Sequence, residues 1–145
     1  MLALSIPRFR YALLTDELKS TTRHIVGLVK GLRNEAITEQ EAYFFHLDLE
    51  SRRLWVESEN MDEQEREMAR ERAFTLPDGV TIADVWRRGR GKKAHGKTAI
   101  RFSSKGYVEQ TAIHLEAEDG REFTLVLEPF LSKVKSYDTY VDIYR

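Results

Sequence analysis

From Leu14 onward, small or apolar side chains return every three or four residues: Leu14, Leu18, Thr21, Ile25, Val29, Leu32 and Ala36. That spacing puts them on one narrow face of an α-helix. Asp16, Glu17, Lys19, Arg23, Lys30, Arg33 and Glu35 fall between them and suit the solvent side. The pattern predicts a long amphipathic helix from about Pro7 to Ile37, locally weakened by Gly27 and Gly31 at ~1 kcal/mol each against Ala. After Gln40 the period shortens to that of a strand. Tyr43, Phe45, Leu47 and Leu49 alternate with Phe44, His46 and Asp48, and a second strand around Leu54 to Glu57 completes a hairpin.

Between Asn60 and Phe74 a short surface helix is expected. Asn60 is its cap, Glu63 stands three residues on, Arg70 and Arg72 fill the last turn, and Met61, Met68, Ala69 and Ala73 form a thin apolar face. Strands then dominate. Pro77-Asp78-Gly79 turns the chain into a strand ending at Trp86. A basic, glycine-containing loop over 87–97 precedes the strand Thr98–Phe102, and Ser103 to Gly106 form another turn. Asp119-Gly120 reads as a two-residue hairpin turn between the next two strands, and the last stretch alternates weakly, adding at most an edge strand. The order gives an α+β fold: one domain over 1–145, with a long N-terminal helix in 1–37 packed on an antiparallel β-sheet head in 41–145.

A length of 145 residues suits one domain with a proper core. The net charge of −1 supplies no global field to recruit nucleic acid or an anionic membrane. The chain has no Cys, which removes thiol catalysis, thiolate metal sites and disulfides. No run of ~20 apolar residues spans a bilayer. The first residues, MLALSIPRF, are nonetheless apolar up to Pro7, without the basic start and longer apolar region of a signal peptide. They read as the tail end of a longer segment.

Gly91 to Thr98, GKKAHGKT, spells a phosphate loop at every required position. Such a loop works because a helix follows it and aims its N-terminus at the phosphates. Here Thr98–Phe102 alternates and stops at a turn within a few residues, so no useful helix can form, and no nucleotide site is expected. His24, His46, His95 and His114 are scattered without metal-ligand spacing, and no serine sits in a nucleophile elbow. The sequence makes no positive case for catalysis, for a metal or for a cofactor.

Several short motifs, in order, resemble type IV pilin-like proteins. MLALSIPRF resembles the later part of a pilin transmembrane segment. LRNEAITEQEAYFFHLDLESRRLWV is similar to the helix-to-hairpin passage of H-type minor pseudopilins and FimT-type minor pilins, the GspH/FimT group. LPDGVTI, IRFSSKG and IHLEAEDGREFTLVL resemble the later sequence of the same group. The prepilin peptidase site and the start of the mature pilin are absent, Ser104 replaces a family proline, and the calcium loop of major pseudopilins is not evident.

The resemblance implies a non-catalytic minor pseudopilin of a type II secretion system, with an upstream transmembrane half-helix in the bacterial inner membrane and a periplasmic head. Leu2, Leu4, Ile6, Pro7 and Phe9 would then pack in the helical core of a filament, and the partners would be other pseudopilins or pilins. The alternative is a FimT-like minor pilin that binds DNA. Its case rests on Arg87, Arg88, Arg90, Lys92, Lys93 and Lys97, which could neutralise several phosphates. Only Trp86 lies near enough in sequence to stack on single strands, and the Glu-rich stretch 57–71 could balance the loop instead.

Overall fold

The apolar stripe of the first helix sets the arrangement of everything after it. The computed structural model describes the backbone of residues 2–130 and 133–143, and the side chains of these residues from Glu17 onward. Helix α1 (Leu2–Glu39) has 38 residues, a length of about 57 Å, and starts before the expected Pro7. It ends without glycine: Gln40 takes a left-handed φ of 54°, and the Glu41 N–H returns to the Ala36 carbonyl at 3.2 Å. Leu18, Ile25, Val29, Leu32 and Ala36 are buried as their spacing requires. Each of the larger ones contributes about 1.5–3 kcal/mol through burial.

The β-rich part divides into two antiparallel sheets. Sheet A has the order β3-β2-β1-β6, from β1 (Tyr43–Asp48), β2 (Arg53–Ser58), β3 (Phe74–Thr75) and β6 (Lys97–Phe102). Sheet B has the order β5-β4-β7-β8-β9, from β4 (Val80–Arg87), β5 (Gly91–Lys93), β7 (Thr111–Ala117), β8 (Glu122–Leu127) and β9 (Lys135–Tyr137). Helix α1 touches β1 and β6 of one sheet and β4 and β7 of the other, so its stripe bridges both. Phe45, Leu47, Ile100, Phe102, Ile113, Leu115 and Leu125 close around it.

The local departures from expectation have physical causes. Arg33, assigned to solvent by its charge, is buried: one Nη donates to the Glu128 carbonyl at 3.3 Å, and the guanidinium lies 5.7 Å from the centre of the Phe102 ring. Burial pushes its pKa below the usual arginine value. Helix α2 (Glu63–Glu71) is capped by Asp62 rather than Asn60, in a capping box that uses Glu65 rather than Glu63. The turn between β7 and β8 has three residues, not two. Ala117 N–H donates to the Arg121 carbonyl at 2.8 Å, and Gly120 takes the left-handed position with φ 90°. Part of the 87–97 loop is strand β5, paired to the end of β4. Strands β6 and β7 are not neighbours: residues 103–110 carry the chain from one sheet to the other.

Sheet B is covered on both faces, which explains why β7 is buried at nearly every position. The C-terminal segment lies across the face away from α1. Thr124 Oγ1 donates to the Thr139 carbonyl at 2.7 Å and accepts from the Val141 N–H at 2.9 Å. His114 stacks on Tyr140 with ring centres 3.7 Å apart, while Tyr140 Oη donates to Asp84 at 2.9 Å. The His114 ring nitrogens face Asp84 Oδ1 at 2.6 Å and the Val141 carbonyl at 2.8 Å. The ring is thus held from both nitrogens as well as across its face.

On the outer face of sheet A, α2 covers a polar cluster. Trp55 Nε1 donates to Glu57 at 2.7 Å, His46 stacks on Trp55 at 5.1 Å, and His46 Nε2 and Arg66 Nε stand 3.5 and 3.8 Å from the same carboxylate. Glu57 favours the His46 cation, but burial outweighs it, with Arg66 and Arg70 adding to the downward shift of the ring's pKa.

Two measurements check this architecture. Gly106, at φ 83°, crosses under α1 so closely that a Cβ would stand 2.9 Å from Ile37 Cδ1 and 3.3 Å from Arg33 Cγ, whereas Gly120 at φ 90° has open space. Both alanine variants incur left-handed strain of ~1–2 kcal/mol. Gly106→Ala should lose more stability in urea titrations than Gly120→Ala, because only the former must also displace helix side chains. Equal losses contradict the close crossing. The second concerns His46. Its folded pKa lies below the unfolded value of 6.5, so the neutral ring's contribution is complete above that value and declines as pH falls below it. Thermal melts of His46→Gln should therefore show a shallower loss on acidification from about pH 6.5 than the parent.

Candidate functional site

The chain's passage from sheet A to sheet B leaves a cleft. Strand β6 is the last strand of sheet A, and on the edge away from β1 it makes an isolated antiparallel bridge from Phe102 to Val108. Past that edge the chain turns tightly at 103–107, where Ser103 N–H donates to the Tyr107 carbonyl at 2.9 Å and Gly106 N–H to the Ser103 carbonyl at 2.8 Å. The other wall is the end of β4 and its turn into β5, in which Arg90 N–H closes on the Arg87 carbonyl at 3.0 Å and Gly89 has φ 79°. Arg88 N–H fastens that turn to the Gln110 carbonyl at 3.0 Å. Between these walls is a cavity of about 680 Å³.

Its lining is apolar with a cationic rim. Phe44, Ala99, Val108, Pro129, Tyr107 and Phe130 supply the apolar surface, and Arg87, Arg88, Arg90 and Arg101 the charge. Tyr107 and Phe130 pack edge to face with ring centres 5.3 Å apart, yet they are 51% and 80% exposed, the most exposed large hydrophobic residues described. Arg87 is half-buried and its Nη1 donates to the Ala99 carbonyl at 2.7 Å, on the outer edge of β6. Burial and then the Arg90 charge lower its pKa, while Glu109 opposes them. Arg88 Nε donates to Gln110 at 3.2 Å, and Gln110 in turn to Glu128 at 3.2 Å. Arg90 pairs with Glu109 at 3.3 Å, and Arg101 is exposed with no carboxylate paired to it among the described residues.

The six cations grouped by sequence do not form one patch. Arg87, Arg88 and Arg90 meet at the cleft. Lys92 is 5.2 Å from the centre of the Tyr140 ring, on the far face of sheet B. The Lys93 stem runs over Gly96, and Lys97 starts β6 opposite Asp48. Trp86 is 7% exposed and so offers no stacking surface. Glu109, which lies outside the Glu-rich stretch 57–71, pairs with Arg90. Arg101, Tyr107 and Phe130 were missed by sequence reasoning. Alternation marks Arg101 as outward-facing, but nothing local brings it beside Arg88. After the glycines of GKKAHGKT comes strand β6 with Thr98 buried, so no helix N-terminus stands behind the loop.

The four histidines lie apart: His24 on Phe74, His46 on Trp55, His95 exposed beside Glu50, and His114 under the C-terminal segment. Among the described residues no group of three or more His, Asp or Glu is arranged to hold a metal. No helix among them is long and apolar enough to cross a membrane. Leu2, Leu4, Ile6, Pro7 and Phe9 are in the first turns of α1, but their side chains lie outside the described residues.

No protein-family model matches the sequence, and no curated protein matches it. Solved structures do match by shape. One structure of the minor pseudopilin EpsH from the type II secretion system of Vibrio cholerae superposes with a TM-score of 0.63 at 16% identity, covering 88% of this chain and 97% of that one. A second EpsH structure gives a TM-score of 0.58 at 16% identity, covering 84% and 97%. This chain, a long helix packed on two antiparallel sheets, therefore shares the fold of these minor-pseudopilin structures over most of its length.

Proposed function

We propose that the protein is a non-catalytic structural subunit, a minor pseudopilin of a type II secretion pseudopilus, which assembles with other pseudopilins through α1 and the surfaces of its head. The fold shared with EpsH over most of both chains carries this reading. The apolar start of α1 supports it, because Leu2, Leu4, Ile6 and Phe9 give a helical surface that other helices can bury. In this reading the N-terminal segment is held in the bacterial inner membrane and the head, over 41–145, faces the periplasm as one domain. DNA capture has less support, since the six cations of 87–97 are divided between two faces and Trp86 is buried.

The absence of cysteine gives a clean test. A single cysteine placed in the first turns of α1 should form disulfide cross-links to cysteine-bearing pseudopilins of the same secretion system when they are expressed together. Replacing Leu4, Ile6 and Phe9 with serine should abolish those cross-links while the head melts as before. No cross-link to any pilin-like subunit would falsify the assembly role.

A further inference from the structure

We propose that the cleft between β6 and the β4–β5 turn is a binding site for a small amphipathic carboxylate, an aromatic or short acyl monoanion. The main chain beside it is already engaged. On the outer edge of β6 the Ala99 carbonyl accepts from Arg87, and Phe102 makes its bridge to Val108. Neither position is left for an added strand, so recognition falls to side chains and to the shape of the hollow. At about 680 Å³ the cavity has the size of a small-molecule site, for which the range is roughly 300–1,000 Å³.

Most of the lining suits an apolar body. Phe44, Ala99, Val108 and Pro129 line the hollow, and Tyr107 and Phe130 stand edge to face beside them, both largely exposed. A ligand that covers those two rings gains their burial. The polar groups select charge. Arg88 is engaged by Gln110, Arg90 by Glu109 and Arg87 by Ala99. Arg101 lines the same cavity, opposite Phe44 in the strand pairing, and no carboxylate is paired with it among the described residues. One such guanidinium matches one carboxylate, which it can hold through two bonds. At Arg87 the Arg90 charge outweighs that of Glu109, so the local field also favours an anion. The inference goes beyond a pseudopilin role and does not require it, because it rests on the cleft alone.

The test is calorimetric titration of the whole chain with octanoate and with 1-naphthaleneacetate, each beside its neutral primary amide. At least one acid should bind saturably at a single site, at least about tenfold more tightly than its amide, as a charge-assisted contact gives. Arg101→Gln, at an exposed position, should bring acid and amide to the same affinity without changing thermal melting. Phe130→Ser, also at an exposed position, should weaken acid and amide alike. The proposal is overturned if neither acid binds, if the amides bind as tightly as the acids, or if the preference for the acid survives Arg101→Gln. Cross-linking of α1 to other pseudopilins is unaffected by any of these outcomes, so the two readings fail separately.

Discussion

The structure depends on one requirement: the apolar stripe of α1 must leave water, and one narrow sheet cannot cover it. Leu18, Ile25, Val29, Leu32 and Ala36 extend over about 27 Å of helix, which is longer than a sheet of four short strands is wide at the ~4.8 Å strand spacing. Two sheets side by side solve the problem. The chain must therefore leave sheet A after β6 and begin pairing again at β7. It does so through 103–110, with Gly106 pressed against the helix and Arg33 reaching under the crossing to the end of β8. Burying that guanidinium costs solvation. The Glu128 carbonyl and the Phe102 face offset part of the cost, and the same contacts tie the last turns of the helix to both sheets.

A helix on one face leaves the other face of sheet B to be covered by something else. The C-terminal segment does this with polar contacts more than with apolar bulk: Thr124, His114, Asp84 and Tyr140 form a connected set in which each buried group has a partner. Such a set is directional, so it fixes where the segment lies as well as that it lies there. The outer face of sheet A solves the matching problem differently. There α2 contributes no buried residue of its own and instead shields Trp55 and Glu57, a cluster that needs water excluded more than it needs apolar mass.

What could be read from residues alone follows the range of the interactions. The stripe of α1 from Leu18 onward, the alternation in β1 and β2 and the β7–β8 hairpin are local patterns and are present. The hairpin turn is one residue longer than expected, and the Leu14 side chain lies outside the described residues. The division into two sheets was not legible, because 103–106 reads as an ordinary turn and nothing local says whether the next strand pairs with the last. Arg33 was assigned to solvent since charge is the only local signal it carries, and the acceptor that makes its burial tolerable is 95 residues away. The helix cap fell on Asp62 rather than Asn60 because two residues with suitable side chains competed, and Glu65 completes the box only with Asp62. The cleft was half legible: Arg87, Arg88 and Arg90 were singled out, whereas Arg101, Tyr107 and Phe130 join them only through topology.

GKKAHGKT shows why a motif is a claim about its neighbours. Its glycines at 91 and 96 do adopt left-handed conformations, as a phosphate loop demands, with φ of 78° and 79°. The element they introduce is a strand. Lys97 and Thr98 are then strand residues, one beside Asp48 and one buried, and the backbone amides around them serve sheet pairing and the Glu50 side chain. The strand that removes the nucleotide site also creates the cleft. As the terminal strand of its sheet, β6 is met on its outer edge by the bridge from Phe102 to Val108 and by Arg87 of the neighbouring sheet, which donates to the Ala99 carbonyl. The cationic surface beside that edge is thus a product of how the chain closes two sheets around one helix, and its chemistry belongs to the fold as much as to the loop that first drew notice.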